Sequence, residues 1–397
     1  MFRFDALPPL ALYVHLPWCV RKCPYCDFNS HELKTDLPEQ AYVDALLADI
    51  EFELPAIWGR VVQSIFIGGG TPSLFSPEAI DRLLAGVRSR LRCKPALEIT
   101  LEANPGTVEQ GRFAEYRAAG VNRLSIGVQS FQPDQLERLG RIHDRREAIR
   151  AAESAHYAGL DNFNLDLMFG LPDQSLGACL ADVSIAVDLE PAHISFYQLT
   201  LEPNTRFHRY PPALPEEDIV WSMQEQGRTA LEAGGYTQYE ISAYARPGRR
   251  CDHNLNYWRF GDYLGIGAGA HGKITDAQRQ AVTRRWKLKH PRDYVERAGT
   301  MEAVGGESLL RPVDAVLEFM MNGLRLNEGF TASQFKAATG LPLETAAAAI
   351  DQGLTAGLLE RHGTDGLQAS VTGRQYLNDL LALFLPEEGA DDRRDTG

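Results

Sequence analysis

The chain has 397 residues, 44% hydrophobic and 23% charged, the composition of a globular protein with one large core or two modest ones. Its 40 basic and 53 acidic residues give a net charge of −13, which argues against a general nucleic-acid binder. No stretch approaches the roughly 18 apolar residues of a membrane-spanning helix, residues 1–9 do not read as a secretory leader, and six cysteines make no disulfide framework at this length, so a cytoplasmic location is expected.

In chain order, short apolar runs predict strands at 12–16, 64–67, 97–101, 123–128, 164–168 and 193–199. Segments with helical spacing lie between them, notably 39–53, 77–90, 146–158 and 176–189. Ser76 followed by Pro77 reads as a helix start, and Gly159 as a helix end. Six strand–helix units imply parallel strands with right-handed crossovers, as a curled barrel or an open sheet, and in both the chemistry collects beyond the strand C-termini.

After residue 205 the pattern loosens. Pro211, Pro212 and Pro215 precede a helical stretch at 216–233, and 236–243 reads as a strand. The basic run from Arg284 to Lys289 reads as a solvated face or strand edge rather than a phosphate site. Helices are predicted at 313–324, 332–339 and 343–356, followed by a small hairpin at 358–367. The expected division is a barrel over 1–245, a linking segment over 246–311, a helical or winged-helix-like unit over 312–385 and a disordered tail over 386–397.

The chemistry starts in the loop after the first strand, where Cys19, Cys23 and Cys26 form a CxxxCxxC pattern. Three soft thiolates on one short loop suit a 4Fe–4S cube with one iron left open; a closed structural zinc site would need a fourth ligand from elsewhere. One strand later, Gly68-Gly69-Gly70-Thr71-Pro72 exposes backbone for close approach. Glu102, Gln129 and Asp166 stand near the ends of three further strands, a ring able to hydrogen-bond ribose hydroxyls and amino-acid groups, and Arg141 adds a carboxylate fork.

The cysteine spacing, with Tyr25 just before the last cysteine, resembles the signature of the radical S-adenosylmethionine (SAM) superfamily. The resemblance implies that the open iron chelates SAM and that electron transfer cleaves it to a 5′-deoxyadenosyl radical. The segments from Leu12 to Cys19, Gly68 to Pro72, Leu101 to Pro105, Ser125 to Phe131 and Asp166 to Pro172 narrow it further. They resemble the family containing oxygen-independent coproporphyrinogen III oxidase and the haem chaperones of the HemW type. That likeness implies a TIM-like α/β fold, a partial (βα)6 radical SAM barrel with a C-terminal helical/winged-helix-like unit. It also implies SAM contacts from Tyr13, Tyr25, Gly69, Gly70, Thr71, Glu102, Gln129, Arg141 and Asp166.

Within that family, Phe28 stands where the oxidase pattern has a further cysteine, and only ten residues precede the first strand's core. His253-Asn254-Leu255-Asn256-Tyr257-Trp258 matches the HNxxYW segment of the chaperone group, which implies haem binding through His253, with Tyr257 and Trp258 able to stack on a porphyrin. The expectation is a haem chaperone with a SAM-coordinated 4Fe–4S cluster, delivering haem to acceptor proteins, respiratory ones among them. An electron donor and transient membrane contact accompany that reading. The alternative is SAM-dependent oxidative decarboxylation of coproporphyrinogen III to protoporphyrinogen IX, the second role in porphyrin metabolism.

Overall fold

The computed structural model describes residues 1–107 and 111–386. The tail expected to be disordered lies, from residue 387, outside the described residues. Apart from the short pair Trp18–Cys19 and His31–Glu32 and a short helix at Pro133–Arg138, the first half of the chain alternates strands and helices: β1 (Leu10–Leu16), α1 (Glu39–Ile57), β2 (Val61–Gly69), α2 (Pro77–Arg90), β3 (Arg92–Ala103), α3 (Arg112–Ala119), β4 (Arg123–Gln129), α4 (Arg145–Tyr157), β5 (Phe163–Phe169), α5 (Leu176–Asp188) and β6 (His193–Gln198). Each strand pairs parallel with the next. One strand face carries Leu12, Val14, Ile65, Ile67, Leu124, Ile126, Leu165 and Leu167, all fully buried in the main core. The alternate positions, set by the two-residue period of a strand, carry Tyr13, Ser64, Glu98, Glu102, Arg123, Asn164 and Asp166 on the inner face of a partial barrel.

Local chemistry fixes the helix ends. The Ser76 hydroxyl accepts the Ala79 N–H and starts α2, Asp144 and Glu147 form a reciprocal capping box at α4, and Gly159 leaves α4 with φ +68°. The sheet then grows at both edges. After α6 (Glu217–Ala233), β7 (Thr237–Glu240) and β8 (Ala243–Ala245) add antiparallel beside β6. After α7 (Asp252–Trp258), β9 (Asp262–Ile266) returns parallel to β1, and β10 (His271–Asp276), β11 (Ala281–Lys287) and β12 (Val304–Leu309) continue antiparallel. Among the described residues this makes one mixed sheet of twelve strands, ordered β12-β11-β10-β9-β1-β2-β3-β4-β5-β6-β8-β7. The parallel core is therefore flanked by antiparallel strands, of which the sequence announces the stretch at 236–243, split here into β7 and the start of β8.

The basic run from Arg284 to Lys289 departs from a solvated face, because most of its charges are paired. Lys287 is 2% exposed, with Nζ 2.5 Å from Asp49 Oδ1 and 2.7 Å from Glu53 Oε1 on α1. Arg285 pairs with Glu53 and Glu307, and Arg284 with Glu318. The pairs to Asp49 and Glu53 clamp the antiparallel extension to the first barrel helix.

The last part of the chain folds as α8 (Pro312–Gly323), α9 (Ala332–Thr339), a 3-10 turn at Leu343–Ala346, α10 (Ala347–Thr355) and the hairpin β13 (Leu359–His362) and β14 (Gly366–Ala369). Its core, around Phe319, Phe330, Phe335 and Ile350, also takes in Phe2 and Phe4. The Arg3 N–H donates to the Gly340 carbonyl at 2.8 Å, which pins the first residues of the chain there.

Candidate functional site at the strand C-termini

Beyond β1 the chain turns at Pro17 into the cysteine loop, whose ends are tied where Trp18–Cys19 pairs with His31–Glu32. The glycine-rich end of β2 supports it: the Gly70 N–H donates to the Leu16 carbonyl at 2.8 Å and the Thr71 N–H to the Trp18 carbonyl at 2.7 Å. A side chain at Gly70 would start 2.5 Å from the Trp18 carbonyl oxygen, so this glycine serves packing against the loop. Asn29 fastens the far side, donating through Nδ2 to the carbonyls of Ala268 at 2.9 Å and Lys289 at 2.8 Å.

Cys19, Cys23 and Cys26 are all free thiols, partly exposed on this loop. Burial pushes the Cys19 and Cys26 thiols up, partly offset by the Thr71 and Ser30 hydroxyls near Cys19 and by the Phe28 backbone and Ser30 near Cys26. Arg141 lies alongside, with Nη1 3.7 Å from Cys23 Sγ, Nη2 donating to the Gly127 carbonyl at 2.6 Å, and a buried Nε without a partner. Among the described residues no three His, Cys, Asp or Glu side chains draw close enough to share one ion. A cubane asks for something else, since each cysteine binds a different iron and the sulfurs need not meet at a point. Three free thiols on one loop beside a guanidinium fit a three-cysteine 4Fe–4S cluster.

The strand ends beneath the loop bring most of the sequence-predicted SAM residues together. Glu102 accepts the Gly69 N–H at 3.0 Å, and Gly69 takes φ +117° over the His15 ring. Burial, then the neighbouring Asp166 carboxylate, push Glu102 up to about 7, with the Gly69 N–H pulling the other way. Asp166 is raised by burial against the pull of Asn164 and Ser125, which donate at 2.9 and 3.1 Å. Gln129 ends β4 with φ 69°, a left-handed conformation unusual for a residue with a side chain, and its Oε1 accepts from the Tyr197 hydroxyl at 2.7 Å. Tyr13 lies near Glu102, and burial raises its phenol well above the usual range. Tyr25 sits beside Cys23 and Arg141 at the edge of an apolar patch, its ring 6.3 Å from that of Phe207.

His253 is not in this group. It lies on α7, a layer below the strand ends, where its Nδ1 is 3.0 Å from Ser64 Oγ and its ring meets Tyr257 and Phe66, which in turn stacks on Tyr13 at 6.3 Å. The ring is 1% exposed, Nε2 has no partner, and burial lowers it to about 3. Ligation of a haem iron by this nitrogen requires α7 to lift. Cys251 is equally enclosed, its thiol pushed up to about 12 by burial.

Sequence reasoning missed the residues that tie these parts together. His15 links the Tyr13 hydroxyl, 2.9 Å from Nδ1, to the Asn29 carbonyl, 2.8 Å from Nε2. Asn164 joins Asp166 to His193, and His193 continues to the Tyr239 hydroxyl, which the Cys251 N–H meets. The signal available for them was strand parity: His15, Asn164 and His193 share the inward face with predicted site residues.

The Radical SAM superfamily pattern matches residues 13–181, and that of the HemN C-terminal domain matches residues 310–376. Among curated relatives, the Escherichia coli protein named Heme chaperone HemW is 51% identical over 381 residues, covering 96% of this chain and 99% of that one. The Haemophilus influenzae protein of the same name is 50% identical over 386 residues, with the same coverage. The Mycobacterium tuberculosis one is 36% identical over 387 residues, covering 95% of each. The solved structure of coproporphyrinogen III oxidase (HemN) from Escherichia coli, described as a radical SAM enzyme, superposes with TM-score 0.80 at 23% identity, covering 95% of this chain and 90% of that one; this shows a shared fold. With the cysteine loop, the strand-end ring and full-length identity of this order, the chain belongs to the HemW family of the radical SAM superfamily.

Proposed function

We propose that this protein is a haem chaperone, which binds haem together with a SAM-coordinated 4Fe–4S cluster and hands haem to acceptor haemoproteins, respiratory ones among them. The observation that carries the reading is identity of 50–51% across essentially the whole length of two proteins named Heme chaperone HemW. In this reading Cys19, Cys23 and Cys26 hold the cluster. When bound, the cluster supplies one-electron chemistry to SAM, with the electron coming from a partner reductase. Tyr13, Tyr25, Gly69, Gly70, Thr71, Glu102, Gln129, Arg141 and Asp166 bind and orient SAM. Glu102 and Asp166 present carboxyl oxygens for hydroxyl or amino groups, and Arg141 offers its unpartnered Nε–H to a carboxylate. No described helix is long and apolar enough to cross a membrane, which accords with work in the cytoplasm and transient contact with membrane-bound acceptors.

The test is anaerobic reconstitution of the cluster in the full chain, followed by titration with haem and, separately, incubation with coproporphyrinogen III, SAM and a reductant. Stable haem uptake without decarboxylation is expected. Conversion to protoporphyrinogen IX would overturn this reading in favour of the oxidase.

A further inference from the structure

With His253 sealed beneath α7, a macrocycle needs a seat elsewhere. A cavity of about 380 Å3 opens between residues 3–9, the end of α7 and helices α8 and α9, a size ordinary for a small-molecule site. Its walls are mostly apolar, with the aromatic rings of Trp258, Phe319 and Phe330 on different elements. Trp258 ends α7 five residues after His253, about 140° further round the helix at 3.6 residues per turn. One face of the HNxxYW segment seals the barrel while the other lines this cavity. The Trp258 Nε1–H is shielded from solvent and has no acceptor. Arg325 covers part of the indole at 4.5 Å.

The charged groups of the lining are Arg3, Arg259 and Lys336 against the single carboxylate of Asp5, an excess of cations in a chain of net charge −13. Arg3 and Lys336 approach Asp5 only to 3.9 and 3.8 Å, and Arg259 pairs with Glu328 at 2.9 Å. Arg3 and Lys336 are exposed enough to turn toward a ligand. The lining contains no His, Cys, Met or Tyr. Aromatic walls under a cationic rim complement a flat apolar molecule bearing carboxylates, and the walls offer no imidazole, thiolate, thioether or phenol to ligate a haem iron.

We propose that this cavity seats the porphyrin macrocycle, with Trp258 against the ring and Arg3, Arg259 and Lys336 facing its carboxylates, a proposal that rests on the haem-binding reading above. The seat recognises the macrocycle rather than the iron, so metal-free protoporphyrin binds it as haem does.

The test uses the full chain, titrated with haem and with metal-free protoporphyrin. Ala337→Trp fills the cavity from an exposed position of α9, and the double variant Arg3→Glu/Lys336→Glu reverses the rim. Circular dichroism and cluster content check that each variant is folded. Wild type is expected to bind both ligands with affinities within about threefold. Each variant should weaken both by tenfold or more, while His253→Ala changes metal-free porphyrin binding less than twofold. Unchanged affinity in folded Ala337→Trp and in the rim variant overturns the proposal and leaves the haem reading standing, as does haem binding by wild type that metal-free porphyrin does not share. Binding of neither ligand to wild type overturns both.

Discussion

Glu98 holds α7 in place: its Oε1 accepts the His253 N–H at 3.1 Å and its Oε2 the Asp252 N–H at 3.2 Å. One side chain from the inner face of β3 caps the helix that closes the barrel's lower end, where a carboxylate meets the positive end of the helix dipole. Glu98→Ala strands these donors beneath the helix and is expected to lower stability by about 2–3 kcal/mol, read as a reduced urea midpoint with faster proteolysis near residue 250. Glu98→Gln should lose about half as much. An unchanged midpoint in Glu98→Ala would show that the cap is dispensable.

Lys287 answers two carboxylates at once. Lys287→Met leaves the buried Asp49 without a cation and Glu53 with Arg285 alone, at an expected cost of about 3–5 kcal/mol at neutral pH. The deficit should shrink toward acid pH as Asp49, which burial already raises above the ordinary carboxylate range, takes up a proton. A deficit that stays the same across that range would point to lost packing instead.

His253 gives stability a pH slope. Burial lowers its folded value to about 3, while the unfolded ring titrates near 6.5. Between these values the unfolded chain binds the extra proton, so this residue's contribution is present above about 6.5 and declines as pH falls through the window. His253→Gln should flatten the dependence of the urea midpoint between pH 5 and 7 by about one proton; an unaltered slope refutes a neutral buried ring.

Glu102 acts in the opposite sense. Its folded value of about 7 exceeds the ordinary 4.5, so its contribution is full below about 4.5 and is lost as pH rises toward 7. Glu102→Gln should gain stability relative to wild type as pH rises from 5 to 7.5, by at most about 3 kcal/mol. A constant difference across that range would mean the carboxyl is ionised throughout.

For the cluster, Cys19→Ser, Cys23→Ser and Cys26→Ser should each lose the broad iron–sulfur absorbance and most of the bound iron after anaerobic reconstitution. Full iron content in all three would exclude the loop as its seat.

What the sequence discloses depends on how far apart the interacting residues lie. The six strand–helix units are readable because each carries its own apolar run and its own punctuation, such as Ser76 before Pro77. The cysteines are readable because they are neighbours. Asn29 is not, since the carbonyls it binds lie 239 and 260 residues away. The run around Lys287 looks like a solvated basic face because its countercharge, Asp49, is 238 residues distant. His253 is recognisable by its motif, but the motif says nothing of Ser64, which fixes which way the ring faces.

Phe2 and Phe4 have a consequence for synthesis. They are made long before the core that receives them, which is built from Phe260, Val282 and residues from Ala315 onward, and the Gln280 side chain that accepts the Phe4 N–H at 2.7 Å lies 276 positions downstream. For nearly the whole of translation these two rings have no home, and a nascent chain in that state is a client for holding factors.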